Sequence, residues 1–192
     1  MKGGNYMIKK FGFTLAEVLI TLGIIGVVAA MTIPTLMQKT NDAELKSGYK
    51  KMISVISQAI SMNYALDGVD FSEITTGGTT DPAAATNWLG FLYHRLNVVG
   101  SDESNRKVFF SDGSWLQYPA TGNCTKASPC EVVIDVNGNK GPNQRADESP
   151  RSADQITNNT ATIKDQYVVY AYDRQFSPTD DTADVGNFIL QN

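Results

Sequence analysis

The chain has 192 residues, a formal net charge of −4, and 42% hydrophobic against 19% charged residues. That make-up suits one folded domain with an appendage. The acidic balance argues against generic nucleic-acid binding, which relies on Lys and Arg, and one histidine with two cysteines is too few for a four-ligand Cys/His zinc site.

The apolar residues crowd into the first forty positions. Residues 1–12 carry Lys2, Lys9 and Lys10 and no acid, and from Val18 to Leu36 no charged residue occurs. A run of this length spans a hydrocarbon core at about 1.5 Å per residue. The lysines before it predict a cytoplasmic N-terminus and a chain that lies outside the membrane thereafter. A secretory signal peptide would have a shorter apolar core, closed by a small-residue cleavage site. Val28-Ala29-Ala30 mimics such a site, but the run continues through Met31 and Ile33. A plain signal anchor explains everything except Glu17.

Glu17 lies inside the apolar run, four residues after Phe13. A carboxylate at membrane depth is costly unless paired, and such residues usually have a function. A cut between Gly12 and Phe13 would supply a partner by freeing a positive α-amine at Phe13. In a helical stack, one subunit's carboxylate could neutralise a neighbour's amine, so that assembly is the low-energy state of both charges.

Gly12-Phe13-Thr14-Leu15-Ala16-Glu17-Val18-Leu19 resembles the prepilin motif of type IV pilins and type II secretion pseudopilins. That family has Gly before the scissile bond, usually Phe after it, and Glu five residues into the mature chain. Pro34 falls where these pilins commonly carry a helix-kinking proline. Met7 as the start would leave the short basic leader MIKKFG, and Met1 a longer one. The resemblance implies cleavage and N-methylation of Phe13 by a prepilin peptidase, with Glu17 as an assembly residue. It also implies an assembly ATPase with its platform, and other pilin or pseudopilin subunits as partners in a homo- or hetero-polymer. The expected location is the inner membrane, single-pass with the head outside, and then a fibre.

After Pro34 the pattern turns amphipathic. Leu45, Tyr49, Met52, Ile53, Ile56, Ala59 and Ile60 recur at helical spacing, and Asp67-Gly68 reads as the stop. One helix from Phe13 to about Leu66 would be roughly 80 Å long. The organisation expected is a leader over 1–12, a membrane or fibre-core half-helix over 13–36, an amphipathic half over 37–66 and a head over 67–192.

Residues 70–81 read as a loop. Asp81-Pro82 reads as an N-cap with proline at the first helical position, opening a short helix through Trp88, Leu92 and Leu96 to about Val99. His94 on that helix has no acid–base partner in view and reads as structural. Lys107–Phe110 and Trp115–Tyr118 flank Asp112-Gly113, a hairpin signal. Cys130–Val136 and Gln166–Asp173 read as strands, and Asn187–Gln191 as a terminal strand. A long helix followed by antiparallel strands gives an α+β fold, which agrees with the pilin head that the resemblance implies.

Cys124 and Cys130 fit a short-loop disulfide in an oxidising compartment, and two free buried thiols are the alternative. The segment from Asp135 to Asn143 resembles the DxNGxKGPN loop of many bacterial pilin-like heads. Asp135, Asn137 and Asn139 alternate as calcium ligands do, with Asp147 nearby. The EF-hand pattern fails, however, because Lys140 stands where the turn glycine belongs. Asx turns without metal use the same residues, so calcium and a metal-free turn both stand, and no other cofactor is called for. Asn158-Asn159-Thr160 matches a glycosylation sequon, a pattern that chance often supplies.

No nucleophile motif or phosphate loop is visible, so the expectation is a structural subunit and not an enzyme. The rivals are a minor pilin, a tip adhesin or DNA-uptake binding module, and a plain signal-anchored envelope protein.

Overall fold

The computed structural model describes residues 12–76, 86–146, 163–178, 186 and 189–190. Two compact units divide the chain, Met1–Asn41 and Asp42–Asn192. Helix α1, Leu15–Asp67, carries Pro34 in its interior.

Within the second unit, the buried positions of α1 are Leu45, Tyr49, Met52, Ile56, Ala59, Ile60 and Asn63. Their spacing of three and four keeps one face of the helix on the core. Full burial of each large aliphatic side chain is worth about 1.5–3 kcal/mol, which fixes this stripe against the sheet. The helix stops where the sequence places the stop. Gly68 takes φ 73°, and its N–H donates to the Tyr64 carbonyl at 2.9 Å, a left-handed closure that glycine makes without strain.

Helix α2, Trp88–Arg95, differs from the expectation at both ends. Asp81 and Pro82 lie outside the described residues. The N-cap is Asn87, whose side chain accepts from Gly90 N at 2.8 Å, the usual role of a short carboxamide there. The C-terminal correction has a tertiary cause. Val98 and Val99 do not extend the helix but open strand β1, Val98–Asp102, because β2 offers the strand a partner, with Val98 opposite Phe110, Asp102 opposite Lys107 and Val99 at a register shift between Val98 and Gly100. β-branched residues gain more on such a pleated surface than in a helix.

The sheet has six strands in chain order, β1 to β6, and every neighbouring pair is antiparallel. The remaining strands are β2 Lys107–Phe110, β3 Trp115–Gln117, β4 Cys130–Asp135, β5 Gln166–Tyr172 and β6 Gln175–Ser177. The fold is α+β, a long N-terminal helix with an antiparallel open sheet, as the pilin-like reading requires. The expected hairpin is β2–β3, turned at Gly113 with φ 89°. Strand β6 was not anticipated. The turn into it, Asp173-Arg174, puts a non-glycine residue at φ 48° and carries none of the usual Asn-Gly or Asp-Gly marking. The expected terminal strand is corrected: Ile189 and Leu190 are helical, and residues 187, 188 and 191 lie outside the described residues.

The core lies between the inner face of the sheet, the buried stripe of α1, and α2. Val108, Leu116, Val132, Ile134, Tyr167, Val169 and Phe176 come from alternate strand positions, as a period of two requires. Phe71 stacks on Trp88 at 5.2 Å and meets Phe91 edge-on at 5.7 Å.

Candidate functional site

The apolar segment keeps its side chains uncovered. Phe13 is 88% exposed, and Leu19, Ile20, Leu22, Ile24, Ile25 and Met31 are all exposed. The most apolar window of α1 has a mean hydropathy of 2.2 and no buried residue, so the helix is long and apolar enough to cross a membrane. A contiguous apolar surface of this extent is not left to water in a soluble protein.

Gly12, Phe13 and Thr14 precede the helix, and residues 1–11, with Lys9 and Lys10, lie outside the described residues. Glu17 occupies the first turn of α1. Its Oε2 accepts from the Thr14 backbone N–H at 2.8 Å and from the Thr14 hydroxyl at 2.8 Å, while Thr14 Oγ1 accepts from Glu17 N at 3.3 Å. Reciprocal bonds of this kind form a capping box. The Thr-x-x-Glu spacing announces it in the sequence, but the carboxylate's place in an apolar run points first to pairing with an amine. Pro34 lies one turn beyond Ala30 inside α1 and removes one N–H from its ladder.

Residues 7–33 match the family described as the prokaryotic N-terminal methylation motif. This stretch is a type IV pilin-type and pseudopilin-type prepilin motif. It contains Gly12, Phe13 and Glu17, and it ends just before Pro34. The chain matches no curated protein and no solved structure.

The other sequence-marked residues lie in the second unit, away from any common site. Cys124 and Cys130 form a disulfide with a Cα–Cα distance of 5.3 Å. The bridge anchors a loop that is itself tied down, since Cys124 N donates to Phe71 O at 2.8 Å and Asp173 N to Cys124 O at 2.9 Å. His94 is exposed on α2.

The loop after β4 is built as an Asx turn. Asp135 is fully buried, and its Oδ1 accepts from Asn137 N at 3.2 Å and from Gly138 N at 2.6 Å. Asn137 Nδ2 donates to Gly141 O at 2.9 Å. Gly138, at φ 64°, packs so closely on the Gly113 carbonyl that a Cβ there would overlap it, which locks the loop to the β2–β3 turn. Burial pushes the Asp135 carboxyl above the ordinary carboxylate range, and Asp165 pushes it the same way. Asp165 was not singled out from the sequence. It is buried, and its two oxygens accept from Asn143 N at 2.6 Å and Gln144 N at 2.9 Å, holding the far end of the same loop. Asp147 lies outside the described residues, and among the described residues no three His, Cys, Asp or Glu side chains gather as a metal site.

Proposed function

We propose that this chain is a structural subunit of a type IV pilus or a type II secretion-like pseudopilus. A prepilin peptidase cuts it between Gly12 and Phe13 and methylates the new Phe13 amine. The single observation behind this reading is the prepilin motif over residues 7–33. It joins a Gly-Phe junction to an uncharged span with one carboxylate, Glu17, in its first turn.

The physical logic follows from the two halves of the chain. An exposed apolar helix is stable in lipid or against other helices of its kind. The membrane therefore serves as a reservoir of subunits, N-terminus in the cytoplasm and head outside. Extraction into a fibre, driven by an assembly ATPase and platform, exchanges lipid for neighbouring helices. The freed amine of one subunit and the Glu17 carboxylate of another neutralise each other in that dry core. The chemistry belongs to the peptidase, and this chain is its substrate, not an enzyme.

N-terminal sequencing or the intact mass of the membrane-extracted protein tests the reading. The expected product begins at a methylated Phe13. A protein that keeps Lys9 and Lys10, or begins after Ala30, would return the chain to the class of signal-anchored or secreted proteins.

A further inference from the structure

A cavity of ≈ 260 Å³ opens on the face of the sheet turned away from the core. Gln117, Glu131 and Val133 alternate with the core residues Leu116, Val132 and Ile134, so they point outward, and all three line the cavity. Two guanidinium groups complete it, Arg106 from the β1–β2 turn and Arg145 from the loop after β4. Arg145 is set in place by its neighbours, since Gln144 N donates to Asp165 Oδ1 at 2.9 Å and Ala146 N to Gln166 O at 2.7 Å. Its Nη2 meets Glu131 Oε1 at 3.4 Å, with both side chains about half exposed. A pair so loose and so wet adds little to stability.

Arg106 is the informative residue. Among the described residues four non-glycine positions have positive φ, and three of them, Asn123, Asn143 and Asp173, carry the short polar side chains that tolerate it. The fourth is Arg106, at φ 54°. Gly or Asn would serve the turn alone with less strain, and strained backbone of this kind gathers at ligand clamps. Arg106 Nε donates to Tyr118 O at 3.3 Å, while Tyr118 N donates to Arg106 O at 2.9 Å, so the side chain is strapped to the segment after β3. The two terminal amino groups of Arg106 have no hydrogen-bond partner among the described residues.

We propose that this cavity binds a monoanionic saccharide, a uronic acid in class, whose carboxylate is received by the open end of the Arg106 guanidinium. A planar guanidinium matches a carboxylate in a bidentate fork. Two guanidiniums less the Glu131 carboxylate leave a local charge of +1, in a chain whose net charge is −4. That balance suits one carboxylate and disfavours a dianion such as phosphate, which Glu131 repels. The lining also mixes donors and acceptors, as sugar hydroxyls require. Gln117 offers its amide oxygen, because its Nε2 donates to Asn105 O at 3.0 Å, and Thr121 adds a hydroxyl. Val133 and Pro119 are buried in the same wall and supply an apolar surface for the C–H face of a ring. The volume lies just under the roughly 300–1,000 Å³ of sites for drug-sized ligands, which suits a single ring. The site belongs to the head and stands whether or not the chain is cut at Gly12–Phe13.

The test titrates D-galacturonate into the full-length chain in detergent micelles and follows binding by saturation-transfer NMR, with D-galactose and acetate as comparators. A single ring should bind with a Kd on the order of 1 mM. Galactose lacks the charge and acetate lacks the hydroxyls, so each should bind at least about tenfold more weakly. Arg106→Gly is the deciding variant, because glycine takes φ 54° without strain. Its melting temperature should stay within about 3 °C of the parent's, while its affinity for galacturonate falls at least about tenfold. Arg145→Gln, at a half-exposed side chain, gives a second reading and should also bind more weakly. Arg174→Gln removes the same charge at the β5–β6 turn and should bind as the parent does. Parental affinity in Arg106→Gly or in Arg145→Gln overturns the proposal, and so does a parent that does not bind galacturonate. Equal binding of galactose or of acetate, or an equal loss in Arg174→Gln, overturns it as well, the last two meaning attraction of anions by charge alone.

Discussion

Arg95 Nε donates to Asn63 Oδ1 at 2.8 Å, a bond between the end of α2 and the last turns of α1. Asn63 is fully buried, and its Nδ2 donates to Val69 O at 2.9 Å; Arg95 also pairs with Asp67. Asn63 therefore satisfies a charged donor and a backbone acceptor at once. Asn63→Leu should destabilise the protein by about 1–3 kcal/mol, because both part-buried partners lose their hydrogen bond. Urea unfolding followed by tryptophan fluorescence would measure this. Trp88 lies in the core.

Gly138 and Gly113 form a matched pair of tests. Both have positive φ, but a Cβ at Gly138 would overlap the Gly113 carbonyl, whereas one at Gly113 meets nothing within 4 Å. Gly113→Ala should lose about 1 kcal/mol to backbone strain alone. Gly138→Ala should lose well over that, since the loop must also part from the hairpin turn. Melting temperatures of the two variants would rank them. Equal losses would mean that the loop-to-turn contact contributes nothing.

Asp135 sets a pH dependence of definite sign. Its folded carboxyl sits above the ordinary range through burial, so on acidification the folded chain takes up this proton before the unfolded chain does. Its contribution to stability is greatest below the unfolded value and is lost as pH rises through the folded value. Asp135→Asn keeps an Oδ1 acceptor for the amides of Asn137 and Gly138 and removes the titration. The variant should be at least as stable as the parent at pH 7, with its advantage shrinking toward pH 4. Denaturant titrations at several pH values check this. A large loss at pH 7 would mean that the loop needs the charge, as a cation site would.

Glu17→Gln isolates the role of charge in assembly. The variant should be inserted and cut normally, because the Gly12–Phe13 junction is unchanged. In the fibre, a neighbour's Phe13 amine would then lack its counter-charge, and an uncompensated buried charge typically costs about 3–5 kcal/mol. Mature subunit should therefore accumulate in the membrane fraction and be missing from sheared fibres. Normal incorporation would remove Glu17 from the list of assembly determinants.

What the sequence determined by itself is what arises locally. The uncharged span from Val18 to Leu36, the Gly12-Phe13 junction, the helical stripe from Leu45 to Ile60 and the Gly68 stop all depend on residues within a few turns of one another, and all were legible. So were the β2–β3 hairpin, through Asp112-Gly113, and the short loop between Cys124 and Cys130. What only the tertiary structure decided depends on distant partners. Val98 and Val99 became part of a strand because β2 stood ready to pair with β1. Strand β6 exists because β5 holds it across an unmarked turn. Asp165 gained its role from backbone amides that lie 21 and 22 positions away along the chain. No window along the chain reports such partners, because the free energy that selects these conformations comes from pairing and burial between segments and not from the segments themselves.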